Sequence, residues 1–169
     1  MKTVITTLLL SVSAFSQTLA LPKHFTGWGA GYQNQASKQV SGWTNTCTLA
    51  WERNYLCLAT DSNGANNSTR AGLERVAWAP GRGLFFTVKG DVGASTGANN
   101  GAGASYGVGG SVIYSLDRVL KNKPGWFAVA SSSWMKSNVQ QFVSSDHGKI
   151  AFRDFADQAV IRFGFGKGW

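Results

Sequence analysis

The stretch A-V-I-R-F-G-F-G-K-G-W, Ala159 to Trp169, decides the reading of the fold. Ile161, Phe163, Phe165 and Trp169 share one parity; Arg162, Gly164, Gly166 and Gly168 share the other, and Lys167 interrupts the apolar set. Successive side chains of a strand point to opposite faces, so this segment has one bulky apolar face and one small or polar face. In a soluble sandwich the apolar face would lie against a core. In a membrane barrel it would lie against lipid, with the small and polar face turned into the lumen.

Working outward from this strand, seven earlier segments share its alternation. Phe25 to Gln33 sets Gly27, Gly29 and Gly31 against Trp28, Ala30 and Tyr32, glycine face inward. Trp43 to Trp51 sets Trp43, Cys47, Leu49 and Trp51 against Thr44, Thr46, Thr48 and Ala50. Tyr55 to Thr60 and the less regular Thr69 to Ala79 follow, then Leu84 to Ala94, Ser105 to Leu116, Trp126 to Met135 and Asp157 to Trp169. Glu52-Arg53-Asn54 and Pro80-Gly81-Arg82-Gly83 read as tight turns, and Asp117 to Gly125 as a moderate one. The other connections are polar, rich in Gly and Asn, or long, the longest being Lys136 to Phe155. All three prolines fall outside these strands. An even strand count with short and long connections in alternation fits an eight-stranded antiparallel transmembrane β-barrel of the bacterial outer membrane. Barrels of that kind typically close on an alternating strand with a terminal aromatic, a pattern that Trp169 resembles. Trp and Tyr near the strand ends would supply the interfacial girdles. A soluble β-sandwich shares the strand spacing and is the competing architecture.

Residues 1–20 read as a secretory signal: Lys2, a mostly apolar Val4 to Phe15, and Thr18-Leu19-Ala20 as the cleavage site. Residues 21–169 would then form one barrel domain in the outer membrane. Charged residues make up 14% of the chain and glycine 21 of its 169 residues. Soluble domains carry about 25% and about 7% respectively. The formal charge of +8, to which Lys2 contributes, suits anionic lipid or lipopolysaccharide phosphates. Export and the lack of a Lys/Arg block argue against nucleic acid. Cys47 and Cys57 flank a hairpin and lie opposite each other if Ala50 pairs with Asn54 around a three-residue turn; a disulfide is then feasible, and another register leaves them diagonal. Two cysteines and two distant histidines lack the spacing of a metal site, so neither metal nor cofactor is expected. A monomer is expected.

Three features bear on chemistry. The inward faces of strands one, six and eight hold Gly27, Gly29, Gly31, Gly107, Gly109, Gly164 and Gly166. So much glycine would either leave a tubular void for an acyl chain or accommodate large residues from opposite, such as Phe85, Lys89 and Arg162. Glu74, Lys89, Asp91 and Arg162 point inward and would pair with one another. Asp61-Ser62 begins an outer loop as ordinary turn residues do, while His147, in the last outer loop, is the better placed of the two histidines to act as a base for a serine.

The stretches L-C-L-A-T-D-S-N (Leu56 to Asn63) and A-G-L-E-R-V-A-W-A-P (Ala71 to Pro80) resemble the third and fourth strands of the lipid A palmitoyltransferases. Trp28 to Tyr32 and the Phe163/Phe165 ending are similar too. The resemblance implies transfer of a palmitoyl chain from a phospholipid donor to lipid A, with an interior pocket measuring the chain. Asp61 and Ser62 occupy the place of that family's Asp-Ser pair. The family's histidine near the outer end of the first strand region has no counterpart, so His147 would serve in its stead. Ser62 would be the nucleophile and Asp61 would orient or polarise. Lys38, Arg70, Lys136 and Lys149 would gather lipid A phosphates at the outer rim. The contrasting reading is a small non-enzymatic barrel of the adhesin or membrane-integrity type. A third is a secreted basic antimicrobial β protein.

Overall fold

In the computed structural model every strand finds a partner on both sides. The structure describes residues 21–34, 39–62, 67–96, 102–117, 119–121, 124–137 and 156–169. Eight strands follow in order: β1 (His24–Asn34), β2 (Gln39–Trp51), β3 (Asn54–Ser62), β4 (Asn67–Gly81), β5 (Leu84–Thr96), β6 (Ala102–Ser115), β7 (Trp126–Ser137) and β8 (Ala156–Gly168). Each pairs antiparallel with its sequence neighbours, and β8 returns to β1, giving a closed barrel. Closure leaves no unpaired strand edge. No helix among the described residues is long and apolar enough to cross a membrane, a fact that says nothing about strands. The expected signal segment, residues 1–20, lies outside the described residues, as do Lys38, His147 and Lys149.

The seam between β1 and β8 runs from Phe25↔Gly168 to Asn34↔Ala159. Gly29 and Gly164 face each other there, and a Cβ on either would collide with backbone of the other strand. Closure at this seam therefore requires glycine. The two tightest turns differ. Arg82-Gly83 has φ of 55° and 79°, both central residues left-handed, as a type I′ hairpin turn demands. Glu52-Arg53 also spans two residues, with φ of 45° at Glu52 only.

The hairpin register reaches the expected pairing by another route. Trp51, not Ala50, pairs with Asn54, and a bulge between Leu49 and Trp51 restores Cys47↔Cys57. The two cysteines form a disulfide with Cα atoms 4.0 Å apart. The same bulge turns Trp51 outward, whereas the alternation alone had placed it with Cys47; Trp51 is exposed and Cys47 buried. Strand β2 also departs from the logic of the closing strand. Its apolar set, Trp43, Cys47 and Leu49, faces the lumen and its threonines face out. The bridge to Cys57 and the packing of Trp43 over Gly27 hold it in that orientation. Pro80 lies within the bounds of β4, in an irregular end where the register slips between Trp78 and Gly81. A proline there removes no regular ladder bond.

The other strands alternate as expected. Ile161, Phe163, Phe165 and Trp169 are exposed, while Arg162, Gly166 and Gly168 are buried. The lumen is layered. At the short-turn end Phe25, Tyr55, Val76, Phe85, Phe127 and Val129 pack against the disulfide. Polar and charged residues occupy the space above them.

Candidate functional site

The charged layer is built by strand parity. Asp61 falls in step with Tyr55, Cys57 and Ala59 on the inner face of β3, and Arg70 with Ser68, Glu74 and Val76 on that of β4. Arg162 projects inward from β8, where Gly31 of β1 gives it room: its Cγ lies 3.1 Å from where a Gly31 Cβ would be. The three side chains meet. Arg162 Nε donates to Asp61 Oδ1 at 2.7 Å and Arg162 Nη2 to Asp61 Oδ2 at 2.8 Å, a bidentate pair. Arg70 Nη2 donates to the same Oδ2. Arg70 Nε lies 3.0 Å from Asp91 Oδ1. Ser68 and Ser133 hydroxyls accept from Arg70 and Arg162 at 2.9 and 2.6 Å. The Met135 sulfur receives Nη groups of both arginines at 3.2 and 3.3 Å.

Below this hub, Glu74 is 5% exposed and accepts from the Thr87 hydroxyl and, at 3.2 Å, from Asn45 Nδ2. Lys89 sits directly across from Glu74 in the β4–β5 ladder. Among the described residues the lumen thus carries Asp61, Glu74 and Asp91 against Arg70, Lys89 and Arg162, three charges of each sign. Buried charge is tolerable when paired as Asp61 is with Arg70 and Arg162.

This geometry revises the expected site. Asp61 and Ser62 do not open a loop; both belong to β3, and alternation puts them on opposite faces. Asp61 is 3% exposed inside, whereas Ser62 is exposed outside and pairs through its backbone with Gly42 and Asn67. Asp61 is committed to two guanidiniums and cannot orient Ser62. Arg70 is not a rim residue. It is 1% exposed and bound within the lumen, so it meets no lipid phosphate. Lys136 does lie at the loop end of β7, its ammonium 5.2 Å from the centre of the Trp134 ring. Of the four inward charges expected to pair with one another, Arg162 pairs instead with Asp61 and Asp91 with Arg70, so Asp61 and Arg70, which sequence reasoning left out of that network, are its centre.

The inward glycines hold no chain-sized void among the described residues. Trp43 lies 3.1 Å from the Cβ position of Gly27, and the Phe25 ring covers Gly166. Phe127 and Pro22 cover Gly168, and Asp91 and Met135 cover Gly107. At Gly109 the backbone of β7 approaches too closely for any side chain. Small residues here receive large ones from the neighbouring strands. Pockets among the described residues include a mostly apolar one of about 40 Å³ beside Phe25, Tyr55 and Phe127, and two of about 10 Å³ beside Asn45 and Lys89. Cys47, Cys57 and Glu74 bring three potential ligand atoms within 4.8 Å, but the bridged sulfurs are not thiolates and so are not metal ligands.

The arrangement can brace a barrel from within; among the described residues it places no nucleophile beside a base. No protein-family model matches the chain, and no curated protein matches it, so the resemblance to the lipid A palmitoyltransferases rests on the residues that suggested it.

Proposed function

We propose that this chain is a non-catalytic β-barrel of the bacterial outer membrane, of the adhesin or membrane-integrity type. The observation that carries the proposal is the filled lumen, in which aromatic side chains occupy the glycine clefts and Arg70 and Arg162 are held by Asp61 and Asp91. Such an interior favours neither a pore nor a pocket that measures an acyl chain. The outer surface supports the membrane part of the reading. Leu56, Leu58, Val92, Val108, Phe163 and Phe165 are each more than half exposed. Tyr32, Tyr106 and Trp134 flank this belt at one end, and Trp51, Trp78 and Trp126 at the other. Strands of 9 to 15 residues meet the roughly 9–11 needed to cross a bilayer at a tilt.

The test compares a deletion strain with its complemented parent. The expected result is a membrane-fraction protein whose folded and boiled forms migrate differently in SDS gels, an unchanged lipid A mass spectrum, and altered adhesion or sensitivity to bulky antibiotics. A lipid A species that gains an acyl chain only when the gene is present overturns the proposal. Palmitoyl transfer is the second reading, favoured by the exposure of Ser62 near the outer end of β3. In that case Ser62→Ala abolishes the additional species.

A further inference from the structure

Among the described residues the lumenal charges balance, and much of the basic excess lies at one end of the barrel. Lys23 precedes β1, Arg53 and Arg82 sit in the two tight turns, and Lys121 lies in the β6–β7 connection. Lys167 stands near the end of β8 and Arg75 near the turn end of β4. By the up-and-down topology all six share one end of the barrel. Glu52 and Asp117 are the acidic side chains described there, and Asp117 is occupied in accepting from the Gly125 N–H at 2.6 Å.

Arg75 is the informative member. It is exposed on the outer face of β4, paired in the ladders with Asn54 and Val88, directly below Leu73 and Leu56. Its position is the margin of the apolar belt, where an uncompensated guanidinium is costly. The Val76 N–H donates to the Arg53 carbonyl at 2.9 Å, which brings Arg53 alongside. The stacked Trp78 and Phe86 rings, 5.0 Å apart, lie on the same margin. Farther round, Lys167 donates to the Pro124 carbonyl and lies 5.5 Å from the Trp126 ring centre. Cations set among aromatic rings at a belt margin match the level of lipid phosphates, the ring body in the acyl region and the charge in the headgroups.

We propose that this end carries a collar selective for anionic phospholipid headgroups, of the phosphatidylglycerol type, with Arg53 and Arg75 as its principal contacts. The proposal rests on the membrane reading above. A lipid phosphate would supply the counter-charge that Arg75 needs at the belt edge, and the guanidinium fork suits its oxygens.

The experiment refolds the full chain into phosphatidylcholine vesicles with and without one-fifth phosphatidylglycerol, each lipid in turn brominated to quench tryptophan. Trp51, Trp78, Trp126 and Trp169 report from the collar end. The expected result is a relative affinity for phosphatidylglycerol over phosphatidylcholine of about fivefold at low salt, the scale of one cation at an anionic surface. It should fall towards unity at high salt and in Arg53→Gln/Arg75→Gln. Equal quenching by both lipids in a protein that shows the unboiled gel shift overturns the collar and leaves the membrane reading standing. A wild-type preference that persists in the folded double variant overturns the assignment to Arg53 and Arg75. If that variant does not fold, Arg75→Lys/Arg53→Gln and the wild-type salt titration decide: a preference indifferent to salt overturns the proposal. Absence of any gel shift in either vesicle overturns the membrane reading, and the collar with it.

Discussion

Asp61→Asn should be among the most destabilising single substitutions in the barrel. The carboxylate receives three charge-assisted hydrogen bonds, two from Arg162 and one from Arg70. Such bonds contribute about 1.5–3 kcal/mol each, and losing one partner of a buried pair costs about 3–5 kcal/mol because the other charge is left uncompensated. The two arginines are not equally affected. Arg70 keeps Asp91 at 3.0 Å, while Arg162 keeps only the Ser133 hydroxyl and the Met135 sulfur. The loss therefore falls mainly on Arg162, and about 3 kcal/mol is the expected destabilisation. Urea titration of the refolded barrel, followed by tryptophan fluorescence and by the unboiled gel shift, measures it. Removing the orphaned charge as well should recover stability, so Asp61→Asn/Arg162→Met should be more stable than Asp61→Asn alone. A midpoint for Asp61→Asn indistinguishable from wild type, or a double variant less stable than the single, refutes the ion-pair account.

Three further outcomes are expected. Reduction of Cys47–Cys57, or the double alanine variant, should cost about 2–3 kcal/mol by the chain-entropy relation for a loop of this length, read as a reductant-dependent drop in the urea midpoint. Gly29→Val or Gly164→Val should prevent closure of the β1–β8 seam and abolish the gel-shifted form, whereas Gly42→Ala and Gly90→Ala, where a Cβ meets nothing closer than 3.8 and 4.0 Å, should fold normally. Phe163→Arg, on the exposed apolar face, should destabilise the vesicle-inserted barrel by up to about 2–4 kcal/mol if it lies near mid-bilayer; no loss there would argue for a water-facing surface.

The strands were legible because a two-residue period survives even where individual residues are weak. Gly27-Trp28-Gly29-Ala30-Gly31-Tyr32 gave its face without ambiguity, and the structure keeps it. Strand ends were less legible. Strand β3 runs on through Asp61 and Ser62, which look like turn formers in isolation, because ladder pairing with Gly42 and Asn67 outweighs local preference. Strand β2 could not be oriented from pattern alone. Its apolar residues face inward to fill the lumen and make the bridge, a demand set by β1 and β3. The bulge that returns Cys47 to Cys57 had no sequence signal of its own.

The glycine faces show why the site was harder to read than the fold. Periodicity reports which side chains point inward, but not which neighbours lean over them from the adjacent strands. Gly27, Gly31 and Gly166 read equally well as the walls of a tube or as sockets, and only the positions of Trp43, Arg162 and Phe25 decide in favour of sockets. Asp61 and Ser62 are a different case, because the deciding signal was already present. The parity that sets Tyr55, Cys57 and Ala59 inward also sets Asp61 inward and Ser62 outward, so adjacent residues of one strand cannot jointly serve a single reacting atom. Followed one residue past Thr60, the same rule assigns Asp61 to the lumen as the counter-ion that Arg70 and Arg162 require. It leaves Ser62 as a hydroxyl on the outer wall, which any catalytic role would have to supply with a base from another strand or loop.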